Sequence, residues 1–361
     1  MPTHPTVLLT GGSGVLGTAL LPELAYCRPL ALTHSAPCPG AAEQVPGDLT
    51  APRLGLDAGT YAALAARVDV VVHTAAETGF SSGAAASHRL NVGGTRRLLD
   101  FVSDAGARLC HVSTSFVARR ELTRAGLGRA AGDALARPED YIDSKRAGEA
   151  EVRASGLPAV IVRPSVIIGD AASGRISAFQ GLHAVIDALL RGMLPLMPVP
   201  GHSRVDFVPC DVVARVVRDL VDQGVPTGEM WATAGDSAVT VERFLELTAA
   251  TARELGIPPH VPRMVGQDMI DRLIRPVFIS TLRPGVRRRF DDMLAMTALF
   301  AGAGPFPCSL GRPPVAEPAP TPYAVEVAYA HTVRHFARAR NLVRENAAAH
   351  RADPGRELMA G

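Results

Sequence analysis

The sequence predicts an α/β fold: a doubly wound parallel sheet carrying a smaller, mostly helical C-terminal cap. Two observations predict the sheet and a third the cap. Short β-rich runs alternate with amphipathic helical stretches through the first half, the pattern of a sheet covered by helices on both faces. The run "VDVVVHTA" (68–75) is nearly continuously apolar, as a strand buried on both faces requires. After about residue 170 the alternation loosens, and Pro, Met and Phe cluster at 193–209 and 258–322.

Taken in order, "TVLLT" (6–10) reads as the first strand, followed by a glycine turn and a helix over "VLGTALLPELA". "LALTH" (30–34) is a short second strand and 68–75 a third. A helix over "SHRLNVGGTRRLLDFVSDAG" leads to a strand over "RLCHVST" (108–114). An Arg/Ala/Gly-rich stretch precedes a helix that opens at "YIDSK" and runs toward Ser155, and "PAVIVRPS" (158–165) is the next strand. Further helices are predicted at 211–222, 240–255 with Thr240 as N-cap, 264–274 and 323–349. The expected domains are 1–170 for the sheet, with core elements also drawn from about 203–235, then 171–350 for the cap. Residues 351–361 form a polar tail.

Composition narrows the function classes. With 361 residues, 47% hydrophobic and 20% charged, the chain has the balance of a globular enzyme. A net charge of +2 calls for neither nucleic acid nor an anionic membrane. The five cysteines (Cys27, Cys38, Cys110, Cys210, Cys308) are scattered without a CxxC pair, so neither a metal site nor a disulfide framework is expected. "HAVIDALLRGMLPLMPVP" is broken by Asp187 and Arg191, and "MLAMTALFAGAGPFP" falls short of the ~18 residues a span needs, so no membrane span is expected. With no charged-then-apolar leader before Val7, a cytoplasmic location is the expectation.

"TGGSGVLG" (10–17) sits between a predicted strand and a predicted helix, where a dinucleotide fingerprint belongs. Gly11 permits the tight turn, Gly14 lets backbone approach a pyrophosphate, and Gly17 allows helix to pack on strand. The helix start adds free N–H groups and a positive dipole end. The sheet is therefore Rossmann-like. An acidic residue ending the second strand would select NAD, but "ALTHSAP" supplies Thr33, His34 and Ser35. That absence favours NADPH, with NADH the alternative. Asp48 in "GDLT" comes later and is placed at the adenine amino group.

Lys145 is the only lysine among 37 Lys and Arg residues, and it stands four positions after Tyr141. With five tyrosines in 361 residues, accident would put it there about once in seventy. On a helix the two share a face. A compact ammonium lowers a neighbouring phenol's pKa and binds ribose hydroxyls, which an arginine fork does poorly. "HVSTS" supplies Ser113, Thr114 and Ser115 at a strand end, where a hydroxyl can hold a carbonyl oxygen. Asn91 lies in an otherwise apolar helix face, either bonding backbone or holding a relay water behind Lys145.

Together "TGGSGVLG", "GDLT", "HTAA", "VSTS" with "YIDSK", and "RPSVIIG" resemble the extended short-chain dehydrogenase/reductase superfamily over roughly residues 6–215. "GDLTAPRLGL", "HTAAETGF", "LNVGGTRRLLDFV", "YIDSKRAGEAEV" and "VDFVPCDVVA" look like its thioester reductase and fatty-acyl-CoA reductase branch. The resemblance implies NADPH-dependent reduction of an acyl thioester, CoA- or carrier-bound, to an aldehyde or alcohol. It implies that the cap binds substrate, and that an acyl carrier protein is a partner. It makes Tyr141 the general acid, Lys145 its pKa partner and ribose ligand, Thr114 the second hydroxyl and Asn91 the relay asparagine. It places Gly11, Ser13, Gly14, Val15, Leu16 and Gly17 at the pyrophosphate, and Thr33, His34, Ser35, Asp48 and Leu49 on the adenosine side. Thr74, Ala75 and Ala76, with Pro164, Ser165 and Val166 toward the nicotinamide, complete the cofactor set.

Other readings stay open at this point. Reduction of a free aldehyde or ketone needs the same residues, as does sugar-nucleotide epimerisation. A dinucleotide-sensing protein without turnover would not need the Tyr141–Lys145 pair. "GMLPLMPVPG" and the Met/Phe-rich 290–307 are candidates for an apolar acyl pocket, against ordinary core under loops. Arg283, Arg287, Arg288 and Arg289 are candidates to grip a phosphopantetheine or CoA phosphate, against a solvated face. Asp206 reads as structural, and a homodimer is compatible with the scaffold.

Overall fold

The computed structural model describes residues 4–80, 82–119, 137–197, 199–265, 281, 283–285, 287, 296–297, 299–300 and 304–343. The strands are β1 (Val7–Thr10), β2 (Leu30–Thr33), β3 (Glu43–Pro46), β4 (Val70–His73), β5 (Arg108–Val112) and β6 (Ala159–Pro164). They are followed by β7 (Val166–Ile168), β8 (Leu196–Met197), β9 (Arg204–Val205), β10 (Phe207–Pro209), β11 (Gly228–Ala232), β12 (Val239–Thr240) and β13 (Arg263–Met264). Among the described residues a parallel sheet of seven strands has the order β11-β6-β5-β4-β1-β2-β3. The order reverses between β1 and β4, opening a crevice at their carboxyl ends, where Thr10 pairs with His73.

Alternation along each strand explains why these runs are apolar. The helices are α1 (Val15–Glu23), α2 (Ala58–Ala65), α3 (Ala84–His88), α4 (Thr95–Ala105) and α5 (Pro138–Ala154), then α6 (Leu182–Leu190), α7 (Cys210–Asp222), α8 (Val241–Glu254) and α9 (Pro322–Ala339). Val7 and Leu9 face the side covered by Leu16 and Leu20 of α1 and Val213 and Val217 of α7. Leu8 points the other way, onto Leu98, Phe101 and Val102 of α4. Val70 and Val72 against Val71, and Val160 and Val162 against Ile161, repeat the division. Each fully buried Val or Leu contributes about 1.5–3 kcal/mol, so both faces of the sheet are strongly specified.

The cap packs α6, α8 and α9 around Phe207, Phe244 and the fully buried Tyr329. The Tyr329 ring stacks on Phe207 at 5.0 Å, and its hydroxyl shares a 2.6 Å hydrogen bond with Thr248. Thr240 caps α8 as its sequence position predicts, accepting from the Arg243 N–H at 3.1 Å. Two predicted helices need correction at one end each: the first does not start at Met264, and the second ends early. Arg263–Met264 is a short strand paired with β8, and 266–274 lies outside the described residues. The last helix stops at Ala339, followed by Arg340 and a left-handed Asn341 (φ 54), rather than continuing to 349; 344–349 also lies outside the described residues. The long helix expected before β5 is broken into α3, a π-helical turn at Arg89–Gly94, and α4.

Asp206, between β9 and β10, ties the sheet to the cap. It is 1% exposed and accepts from the N–H groups of Ala234 (2.9 Å) and Gly235 (3.0 Å). Burial pushes its carboxyl up from 3.8 to about 6, against the opposing pull of Ser165, the two N–H groups and Arg119. A carboxyl raised on folding stabilises fully below its unfolded value of 3.8 and loses that contribution as pH rises through about 6. Urea denaturation from pH 4 to 7 should therefore show wild type losing on the order of 3 kcal/mol relative to Asp206→Asn across this window. Parallel curves for the two proteins would remove Asp206 as the source.

Candidate active site

The turn from β1 into α1 builds the floor of the crevice. Gly11 has φ 73, and a Cβ there would lie 2.5 Å from the Ala75 nitrogen and 2.7 Å from the Thr74 hydroxyl. A Cβ on Gly17 would collide with the Gly11 carbonyl, so helix and turn meet backbone to backbone. Gly14 is the N-cap of α1 and offers no side-chain oxygen to the first-turn N–H groups, which leaves them for an anion. Ser13, Gly14, Val15, Leu16 and Gly17 line a cleft of about 650 Å³, together with Gly11, Ser35, Thr74, Ala75 and Ala76. Gly12, which the motif spacing did not single out, packs against Cys38 where a side chain would clash.

A second cleft of about 430 Å³ adjoins it, sharing Gly11, Ser13, Ser35, Ala75 and Leu90. Thr33, His34, Asp48 and Leu49 line it, as do Glu77 and Arg89, which sequence reasoning missed. One Asp48 oxygen accepts from the Thr50 N–H (2.7 Å) and hydroxyl (2.8 Å). Those bonds hold the carboxyl below its ordinary value, with smaller contributions from His34 and Arg89.

At the other end the strand tip of β5 meets α5. Thr114, Tyr141 and Lys145 line the larger cleft together, beside Ser113, Pro164, Ser165 and Val166. Ser115 is buried and does not line it. The buried Lys145 ammonium donates to the Val112 carbonyl at 2.8 Å. Burial draws Lys145 down to about 8, opposed by Glu149 one turn further along α5. Burial also pushes the Tyr141 phenol up to about 12, against its hydrogen bond with the Thr114 side chain. The sequence reading gave control of the phenol to the ammonium; desolvation controls it instead, and keeps the phenol protonated. Glu149, 2% exposed, is gripped by the Arg163 fork at 2.8 and 2.7 Å; burial raises its carboxyl, but Arg163, Ser113 and Arg153 together keep it below its usual value.

Asn91 sits behind this group in the π-helical turn. Its amide accepts from the Glu77 N–H (2.8 Å) and donates to the Glu77 carbonyl and the Ser144 hydroxyl (both 2.9 Å). Among the described residues it has no hydrogen bond to Lys145; it joins the loop after β4 to α5.

The remaining wall comes from Phe80, Phe116, Leu182, Ala184, Met296 and Leu299, with Thr78, Gln180 and Gly181. None of these carries an ionisable side chain. Of the two apolar stretches, 290–307 contributes Met296 and Leu299, while Leu194, Met197 and Val199 of "GMLPLMPVPG" belong to the cap core. Arg283 and Arg287 do not line the cleft, and Arg288 and Arg289 lie outside the described residues. Among the described residues no group of acidic, His and Cys side chains suits a metal, and no helix is long and apolar enough to cross a membrane.

A glycine floor that admits no Cβ, an uncapped helix start and a crevice at the strand reversal fit a dinucleotide. This is the build of an NAD(P)-dependent oxidoreductase of the extended short-chain dehydrogenase/reductase type. Residues 40–217, just under half of the chain, match the family described as male sterility protein. It is 32% identical over 193 residues to a glycine betaine reductase of Emericella nidulans, covering 50% of this chain and 15% of that one. It is 29% identical over 264 residues to an isonitrile lipopeptide synthase of Streptomyces coeruleorubidus, covering 63% and 17%. The chain thus spans less than a fifth of the length of these two relatives. The same fold occurs in the terminal R domain of the myxalamid PKS-NRPS pathway, with TM-score 0.68, 22% identity, and 95% and 93% of the two chains covered.

Proposed function

We propose that the protein reduces an acyl thioester, CoA- or carrier-bound, to the aldehyde or onward to the alcohol, using NADPH. The observation that carries this reading is the convergence of Thr114, Tyr141 and Lys145 at the β5 tip, facing an apolar, uncharged wall. The relatives named as a reductase, a lipopeptide synthase and an R domain of an assembly line support the thioester as substrate. The glycine turn and the α1 start would hold the pyrophosphate, and Pro164, Ser165 and Val166 would border the nicotinamide. When bound, the cofactor supplies hydride.

The chain's own residues account for the rest. The Thr114 and Tyr141 hydroxyls bind the carbonyl oxygen and stabilise the negative charge it develops. Tyr141, kept protonated by burial, delivers its proton to that oxygen. The Lys145 ammonium, anchored on the Val112 carbonyl, supplies positive charge beneath the reacting oxygen. With a thioester the product is a hemithioacetal, which expels thiol to leave the aldehyde. The apolar wall receives the acyl chain and excludes water.

The test follows NADPH oxidation and free-thiol release together over a panel of acyl-CoA and carrier-bound thioesters, beside matched aldehydes and ketones. Thiol released in step with NADPH loss is the expected result. NADPH loss with free carbonyls alone would make the protein an aldehyde or ketone reductase and end the thioester reading.

A further inference from the structure

We propose that Arg89, assisted by His34, forms the site that recognises the 2′-phosphate of NADPH, so that the cation comes from the π-helical turn and not from the end of β2. The inference rests on the reading above that the two clefts hold a nicotinamide dinucleotide. The end of β2 carries Thr33, His34 and Ser35, which supply neither the carboxylate that binds a free 2′-hydroxyl nor an arginine that binds a phosphate. Arg89 lines the same cleft as His34 and Ser35.

Among the described residues Arg89 has no ion-pair partner, although carboxylates lie close at hand. Asp48 and Glu77 both line this cleft. One Asp48 oxygen is occupied by Thr50, and one Glu77 oxygen accepts from the Gly79 N–H at 2.9 Å. His34 and Arg89 line this cleft together with Asp48, and both help hold its carboxyl below the ordinary value. A phosphate dianion meets a guanidinium as a fork of parallel hydrogen bonds, an arrangement a neutral hydroxyl cannot repay. Arg89 is exposed on its helical turn, so the site is open to ligand and the side chain is not needed for the core.

The experiment measures binding of adenosine 2′,5′-bisphosphate against 5′-AMP by calorimetry on the full chain, with no thioester present. Wild type should bind the bisphosphate roughly 10- to 100-fold more tightly, as one charge-assisted contact dictates. Arg89→Ala and Arg89→Gln should erase most of that ratio, and His34→Asn should reduce it less. Rising salt should shrink the wild-type ratio and leave that of the Arg89 variants flat. A ratio near one in wild type, or one that survives both Arg89 variants, overturns the assignment. Failure of both nucleotides to bind would instead overturn the dinucleotide reading beneath it, and neither result bears on thiol release.

Discussion

Tyr141→Phe is expected to lower thioester-dependent NADPH oxidation by about 10²- to 10⁴-fold while dinucleotide affinity stays within a few-fold of wild type. The substitution removes one oxygen and keeps the ring, which packs at 5.9 Å from Phe80 on the cap side of the sheet. On the proposed mechanism Thr114 would still meet the substrate oxygen in the variant, but the proton that Tyr141 delivers would be missing. Burial pushes the phenol up to about 12, which favours the protonated form. Stopped-flow oxidation of bound NADPH measures the step, and quenching of its fluorescence on binding measures affinity. A variant within tenfold of wild type in the first measurement would show that the proton comes from elsewhere.

Arg163→Met is expected to cost about 3–5 kcal/mol of stability, the usual result of stranding one partner of a buried pair. The guanidinium is 3% exposed, lies 4.4 Å over the Trp231 ring, and donates to Glu149 and, at 2.7 Å, to Glu229. Met preserves much of the packing on the ring but takes away the fork on Glu149, leaving it the half-exposed Arg153, 2.8 Å away, as its ion-pair partner among the described residues. The double variant Arg163→Met/Glu149→Leu should recover most of the loss, because an apolar pair removes the stranded charge. Urea midpoints at constant slope decide it. A single variant as stable as wild type would show that the pair contributes no more than a surface ion pair.

The sequence carried the parts of this structure that local chemistry dictates. Apolar runs marked β1, β4, β5 and β6 because both faces of those strands are buried. Glycine spacing marked the turn because backbone meets backbone there, and the i,i+4 spacing placed Tyr141 and Lys145 in one cleft. β3 was invisible: an edge strand reading EQVP, with three of its four side chains exposed, has no apolar pattern to show. β11 is the opposite edge and begins with two exposed residues. The acyl wall was only partly legible, since Phe80, Phe116, Leu182 and Met296 come from four distant segments that only the tertiary fold assembles. Arg89 escaped notice because an exposed arginine on a helical stretch looks like solvated surface.

The π-helical turn at Arg89–Gly94 carries one residue more than regular winding would need. Losing a single codon there would restore an α-helix and swing everything upstream by about 100° relative to α4. The segment α4 itself would stay where it is, anchored by Leu98, Phe101 and Val102 against the sheet. Arg89 and Leu90 would leave the cleft in the same event. If Arg89 holds the 2′-phosphate, one insertion or deletion in this turn would therefore change nucleotide preference, and would at the same time pull the buried Asn91 away from Glu77 and Ser144.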